Sequence, residues 1–254
     1  MIPNAWHFSF YRWVLCLRWY GQVSWSRCSH LNAALAFKER NLYIPGKFKQ
    51  ENIGELVGLI REYPFATIIT LSESGIDANH LPLCLMELDG ELYLKGHIAK
   101  ANSLWQTTEP LSEALVIFNG PNIYISPNNY PTKKENGKAV PTWNYVVVHV
   151  KGKIRFIHDP QWIVGVLEQL TSEHEREQVV PWSMSDAPES YIQNMLSAVV
   201  GIEIAIDSLS GKWKLSQNQS ELNQKGVVDG LSSKSDTNSQ TIASMMCANL
   251  QQEC

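Results

Sequence analysis

Residues 140–157, V-P-T-W-N-Y-V-V-V-H-V-K-G-K-I-R-F-I, decide the fold. The first six residues are a polar, aromatic turn. Residues 145–150 are β-branched and aromatic, Gly152 interrupts the run, and residues 154–157 mix apolar with charged, the pattern of a twisted antiparallel pair or of one bent strand. Trp143 and Asn144 therefore stand at a strand's mouth. Small β-barrels hold flat aromatic ligands at such mouths while their own side chains fill the barrel body.

Working outward, residues 42–48 (L-Y-I-P-G-K-F) lead into a helix over 51–63, with Ile53, Leu56, Val57 and Ile60 on one face and Pro64 as its stop. Strands are expected at 66–71 and 77–86, and Asp89-Gly90 is a hairpin signal before a strand at 91–96. A helix over 100–107 follows, then strands at 114–118 and 122–126, the last ended by Pro127, which cannot donate to a ladder. Residues 128–138 read as a long polar loop, and such loops in compact domains are usually functional. Asp159-Pro160 caps a helix to about residue 173, another runs near 190–198, and a strand at 200–206 leads into S-G-K-W-K-L-S-Q-N, 210–218. About seven strands at hairpin spacing with few helices favour a mainly β, α+β architecture, a small closed barrel with peripheral helices.

The 254 residues are 44% hydrophobic and 18% charged, enough for one core of ordinary size. The net charge of −4 is segregated. Residues 1–41 are basic, with Arg12, Arg18, Arg27, Lys38 and Arg40 against Glu39 alone, and they hold Trp6, Trp13, Trp19 and Trp25. Arg12 and Arg18 interrupt the apolar run, so this extension is neither a signal peptide nor a membrane span. Lying on a membrane surface is one reading of it; the other is a start of translation at Leu42. Residues 42–231, the expected domain, are acidic, which makes them a poor bulk binder of polyanions because phosphate contacts need clustered Lys and Arg. Residues 232–254, rich in Ser, Asn and Gln without periodicity, are expected to be disordered. The five cysteines form no close pair, so neither a disulfide framework nor a zinc site is expected, and Cys84 reads as a small core residue. A cytoplasmic location follows from that cysteine usage.

Four polar-aromatic clusters stand out. In A-N-H-L-P, 78–82, Asn79 and His80 must point to opposite faces, so only one can look into a given site. In K-G-H-I-A-K-A-N-S-L-W, 95–105, a strand gives way to a helix whose N-terminal N–H groups, with Lys100 beside them, make a place for a phosphate. Taken alone, that cluster favours a capped helix with a solvated lysine. The run 125–133 joined to V-P-T-W-N-Y offers Trp and Asn groups that need partners when buried, and G-K-W-K-L-S-Q-N sets Trp213 between Lys212 and Lys214. No glycine-rich nucleotide loop, catalytic nucleophile or metal-ligand spacing appears. His149 and His158 read as structural.

L-Y-I-P-x-x-F, D-A-N-H-L-P, G-H-I-A-K-A-N-x-L-W, Y-I-S-P-x-x-Y, V-P-T-W-N-Y and G-K-W-K-L-S-Q-N, in this order, resemble the PaiB-type FMN-binding negative transcriptional regulators. The resemblance runs from Leu42, where such proteins have Met, to about Leu231. It implies the FMN-binding split β-barrel, a six-stranded Greek-key barrel with peripheral helices, and a homodimer with flavin near the subunit interface. It also implies repression of bacterial genes such as those for sporulation and degradative enzymes. Carried over residue by residue, it assigns His97, Lys100 and Asn102 to the FMN phosphate. Asn79, His80, Trp143 and Asn144 go to the flavin ring, and Lys212, Trp213 and Lys214 reach the ligand from the partner subunit. No helix-turn-helix is present, so direct DNA contact would need a local basic surface such as Lys133, Lys134 and Lys138. A flavin-dependent oxidoreductase or a flavin- and haem-handling enzyme on the same barrel is the alternative.

Overall fold

The computed structural model describes residues 42–73 and 75–252. Residues 1–41, and the expectations about them, lie outside the described residues.

A short 3-10 turn at Gly46–Phe48 enters strand β1 (Lys49–Gln50) and helix α1 (Ile53–Glu62). Asn52 starts α1 by accepting the N–H of Gly54 at 2.8 Å; Leu56 and Ile60 of the expected face are buried together with Leu59, whereas Ile53 in the first turn is exposed. Strands β2 (Phe65–Ser72), β3 (Gly75–Pro82), β4 (Cys84–Leu88) and β5 (Glu91–Ala99) follow, then a single helical turn α2 (Leu104–Thr107). The long strands β6 (Ser112–Ile125) and β7 (Thr142–Ile157) flank the polar loop, which contains α3 (Lys133–Asn136). Helices α4 (Pro160–Glu175) and α5 (Glu189–Ser197) precede β8 (Val199–Lys214), and α6 (Glu221–Ser232) and α7 (Thr237–Gln252) complete the described chain. No helix among the described residues is long and apolar enough to cross a membrane.

All pairings are antiparallel, in the order β3-β2-β6-β7-β8-β5-β4, with β1 added to β8. The two ends of this sheet, β3 and β4, are consecutive pieces of one chain. They were expected as a single strand at 77–86, but Leu83 breaks the run and turns its N–H to the carbonyl of Pro64, at 3.0 Å. The chain therefore leaves β2 for β5 at that point. Counting β3 and β4 as one and setting aside the two-residue β1 leaves six strands, and β6 returns beside β2, the Greek-key arrangement of the split barrel. The expected closed barrel is instead an unclosed sheet: β3 and β4 form no ladder with each other among the described residues, and the chain at Leu83 joins the two edges.

Residues 142–157 are one bent strand. Its pairing with β8 shifts register between Lys151 and Gly152, and its pairing with β6 shifts between Asn119 and Asn122. The expected strands at 114–118 and 122–126 are thus one strand, with Gly120-Pro121 as a bulge where Pro121 has no N–H to donate. The even-numbered β7 residues Asn144, Val146, Val148 and Val150 face the core with Ile68, Val116, Phe118 and Ile204. Helix α1 packs on β6, β7 and β8, and α4 covers β4, β5 and β8.

Three further expectations are revised. The helix over 100–107 shrinks to one turn because Asn102 Oδ1 takes the N–H of Leu104 at 2.9 Å. Residues 219–231, given no element from sequence, carry α6, and the expected disorder of 232–254 gives way to α7. Ile242, Ala243 and Met246 line one face of α7 and are buried against the barrel core. That face is narrow and set among Ser, Asn and Gln, so its periodicity is faint, and tertiary packing supplies the stability of the helix.

Candidate functional site

The bulge at Gly120-Pro121 widens the outer face of the sheet and a cavity of about 470 Å³ opens beside it. Alternation along β7 brings Trp143, Tyr145, Val147 and His149 to this face, opposite Ile117 and Asn119 of β6 and Lys212 of β8. Asn122 and Leu42 complete the lining. Trp143 is half-exposed and meets Tyr124 edge to face, with ring centroids 6.0 Å apart.

Two ammonium groups gather over Tyr145. Lys212 Nζ lies 5.3 Å and Lys214 Nζ 5.9 Å from its ring centroid, and Lys212 also lies 5.8 Å from the ring of Tyr43. Lys212 donates to the Tyr43 carbonyl at 3.3 Å, and Lys214 donates to Thr142 Oγ1 and the Trp143 carbonyl, each at 2.5 Å. Neither pairs with a carboxylate among the described ion pairs. Burial, then Lys212 beside it, lowers the pKa of Lys214. Burial, followed by Lys151 and Lys212, lowers that of His149, so its imidazole stays neutral near pH 7.

The other assigned residues are dispersed. Asn102 donates to Asn79 Oδ1 at 2.7 Å, which joins those two, and Asn79 donates to Asp77 at 3.1 Å. His80 faces the other way and its Nδ1 sits 3.0 Å from Thr67 Oγ1. His97 shares the α4-covered face of β5 with Lys95, opposite Gly201, and its buried Nδ1 has no hydrogen-bond partner among the described residues. Burial lowers its pKa. Lys100 is exposed at a small cavity with His158 and Leu196, and its own N–H is taken by the Ala198 carbonyl at 2.7 Å. The 95–105 stretch thus carries one helical turn only, and the N–H of Leu104 at its start is already taken by Asn102 Oδ1.

Asn144 and Trp213 also turn away from the cavity, because each is offset by one residue from a cavity-facing neighbour. Asn144 is 0% exposed and exchanges hydrogen bonds with Ser216 at 3.0 and 3.1 Å. Trp213 is buried in the core cluster. Sequence reading passed over Tyr145, Asn119, Asn122 and Leu42 and set His149 aside. The signal for them was N-G-P-N at 119–122, a bulge signature between two strand patterns.

This donor set fits the flavin mononucleotide that the resemblance implies. Trp143, Tyr145 and Val147 offer a flat apolar wall, Asn119 and Asn122 offer amides for ring carbonyls and nitrogens, and Lys212 and Lys214 offer charge without a carboxylate for an anionic group. The volume lies within the usual range for small-molecule sites, roughly 300–1,000 Å³.

Comparison with known proteins bears on the same region. The chain is 31% identical over 205 residues to the Protease synthase and sporulation protein PAI 2 of Bacillus subtilis, which covers 81% of this chain and 96% of that protein. It is 34% identical over 225 residues to an uncharacterized protein of Emericella nidulans, covering 74% and 90%. Among solved structures, the FAD and heme binding protein from Mycobacterium smegmatis overlays 65% of this chain and 73% of its own with a TM-score of 0.45 and 15% identity. Residues 42–208 match the family model described as "Putative FMN-binding domain", and the chain belongs to that FMN-binding family.

Proposed function

We propose that the protein is an FMN-binding negative regulator, working as a homodimer on genes of the sporulation and degradative-enzyme class. The observation that carries the flavin half is the cavity beside Trp143 and Tyr145, with Lys212 in its lining and Lys214 over the Tyr145 ring, neither paired with a carboxylate among the described residues. The regulatory half draws support from the name of the Bacillus subtilis relative, which links that protein to sporulation and protease synthesis.

The outer face of β2 and β3 supports the homodimer. Phe65, Leu71 and Ile76 are 66%, 61% and 79% exposed there, an apolar surface that a second copy would cover. A dimer would also reconcile the two groups of assigned residues. Lys212 and His97 sit near opposite ends of β8, roughly 35 Å apart along an extended strand, so one ligand would touch both sets only if each subunit contributed one. Direct DNA binding has weak physical support, because the domain is acidic and Lys133, Lys134 and Lys138 form only a small exposed group. Repression through a protein partner accords better with that charge.

Bound FMN supplies reversible one- and two-electron chemistry; Trp143 and Tyr145 would flank its ring, while Lys212 would neutralise negative charge at its rim. A flavin-dependent reductase is the second reading, favoured by the open cavity and by neutral His149 within it. The test is purification followed by desalting and an absorbance spectrum. Retained flavin peaks support the site, and a colourless protein that fails to take up added FMN overturns it. A gel-shift titration with the upstream regions of sporulation-type genes, in low salt and with cell extract added in a second arm, separates direct from assisted repression. No shift in either arm removes the regulatory reading.

A further inference from the structure

We infer that the chain from Ser216 through α7 is a clasp that positions the aromatic wall of the cavity, fastened at Asn144 and at Asn223. For its functional meaning the inference rests on the flavin reading of that cavity.

Residues 126–141 form the loop between β6 and β7; the register pair Ile125 and Thr142 closes its base, and Tyr124 and Trp143 are the next pair in. A loop of that length is costly to hold in one conformation, and unrestrained it would let its base fray. Here the C-terminal helices hold it. Asn223 Oδ1 accepts from both the N–H and the hydroxyl of Thr132, at 3.3 and 3.0 Å, across 91 residues of sequence. One turn on, Gly226 and Gly230 form a groove on α6 in which the loop lies. A Cβ at Gly226 would stand 2.3 Å from the Asn129 carbonyl oxygen, and one at Gly230 would stand 2.7 Å from the Asn129 side chain. The polar loop expected to meet a ligand is thus a docking strip for α6.

The second fastening lies under Trp143. Asn144 donates to Ser216 Oγ at 3.0 Å and to Met246 Sδ of α7 at 3.5 Å, while Ser216 Oγ donates back to Asn144 Oδ1 at 3.1 Å. Asn144, Ser216 and Met246 are all buried. Trp143 and Asn144 project from one strand in opposite directions, so locking the buried amide sets the direction of the indole outside. Lys214 completes the frame from β8 by donating to the Trp143 carbonyl. The clasp lies beyond residues 42–208, the part matched by the family model. Asn144 and Asn223 are therefore positioning residues, and neither lines the cavity.

Asn223 is the residue to change, because it touches the loop and not the cavity. Fluorotryptophan-labelled full chain, with the Trp143 signal assigned by Trp143→Phe, reports the wall directly by NMR, and FMN titration reports binding. In Asn223→Ala the Trp143 resonance shifts or broadens and the FMN Kd rises roughly three- to tenfold, the loss of a neutral hydrogen-bond pair. Asn223→Asp keeps the acceptor for Thr132 and restores both readouts. Gly230→Ala, which overfills the groove, repeats the effect of Asn223→Ala. A lowered melting temperature with an unmoved Trp143 resonance overturns the clasp, and a moved resonance with unchanged FMN Kd overturns its tie to the ligand. If the wild-type chain takes up no FMN, the flavin reading falls, and the Trp143 resonance alone decides the clasp.

Discussion

Gly201 of β8 lies directly under the indole of Trp162: a Cβ at this glycine would stand 2.4 Å from Trp162 Cζ3. The notch lets the first turn of α4 seat on the sheet, and Trp162 in turn covers the Lys95 ammonium, 5.4 Å from its ring centroid. Gly201→Ala therefore overpacks a rigid contact and is expected to cost about 1–3 kcal/mol. Thermal unfolding measures it, and Trp162→Leu in the same chain should recover part of the loss. Equal melting temperatures for wild type and Gly201→Ala would show that α4 seats elsewhere.

Beneath the same helix, Glu203 joins Lys95 at 3.2 Å and also pairs with Arg155. Lys95 and Glu203 are buried, whereas Arg155 is exposed and can turn to water. Glu203→Gln strands the Lys95 charge, and the expected loss is about 3–5 kcal/mol. Adding Lys95→Met removes the stranded charge and should return most of it. Denaturant unfolding of the single and double variants tests this, and additive losses would contradict it.

Among the described residues Lys212 and Lys214 stand over Tyr145 without a carboxylate partner, so a bound anion is their expected counter-charge. Lys212→Ala should weaken FMN binding by roughly ten- to a hundredfold, the worth of a charge-assisted hydrogen bond, with little change in melting temperature. Fluorescence titration at two salt concentrations checks it. An unaltered Kd would put the phosphate elsewhere.

His97 and His149 both have pKa values pushed below the usual 6.5, chiefly by burial. In the unfolded chain they take up protons as the pH falls through 6.5, while in the folded chain they resist. The unfolded state then binds more protons, so their contribution is complete above pH 6.5 and is lost as the pH falls toward their lower folded values. The melting temperature should drop between pH 7 and 5, and His97→Gln should flatten that drop. An identical pH profile for the variant would mean that carboxylates alone govern it.

How much of this was legible in the sequence depends on the reach of each signal. The face of α1 with Leu56 and Ile60, the strands around Val148 and Ile204, and the stop at Pro64 rest on neighbours in sequence, and their patterns are plain. Leu83 lies in L-P-L-C-L-M, apolar throughout, so no periodicity marks the point where the chain changes partners. Asn144 read as a ligand group because buried amides need partners. Its actual partners are 72 and 102 residues away, on a turn and a helix whose own patterns are faint. The 100–107 helix differs from its expected length for a local reason: Asn102 turns its oxygen to the N–H of Leu104, and a single turn follows.

The junction at Leu83 also bears on how the chain folds. Because β3 and β4 are neighbours in sequence, bringing the two edges of the sheet together asks for almost no loop closure. The demanding step is the pairing of β5 with β8, where Gly96 meets Ile202 about a hundred residues downstream. Substitutions along that ladder should slow folding, while those at Leu83 should mainly hasten unfolding, so the seam of the barrel controls how long the folded state lasts rather than how quickly it forms.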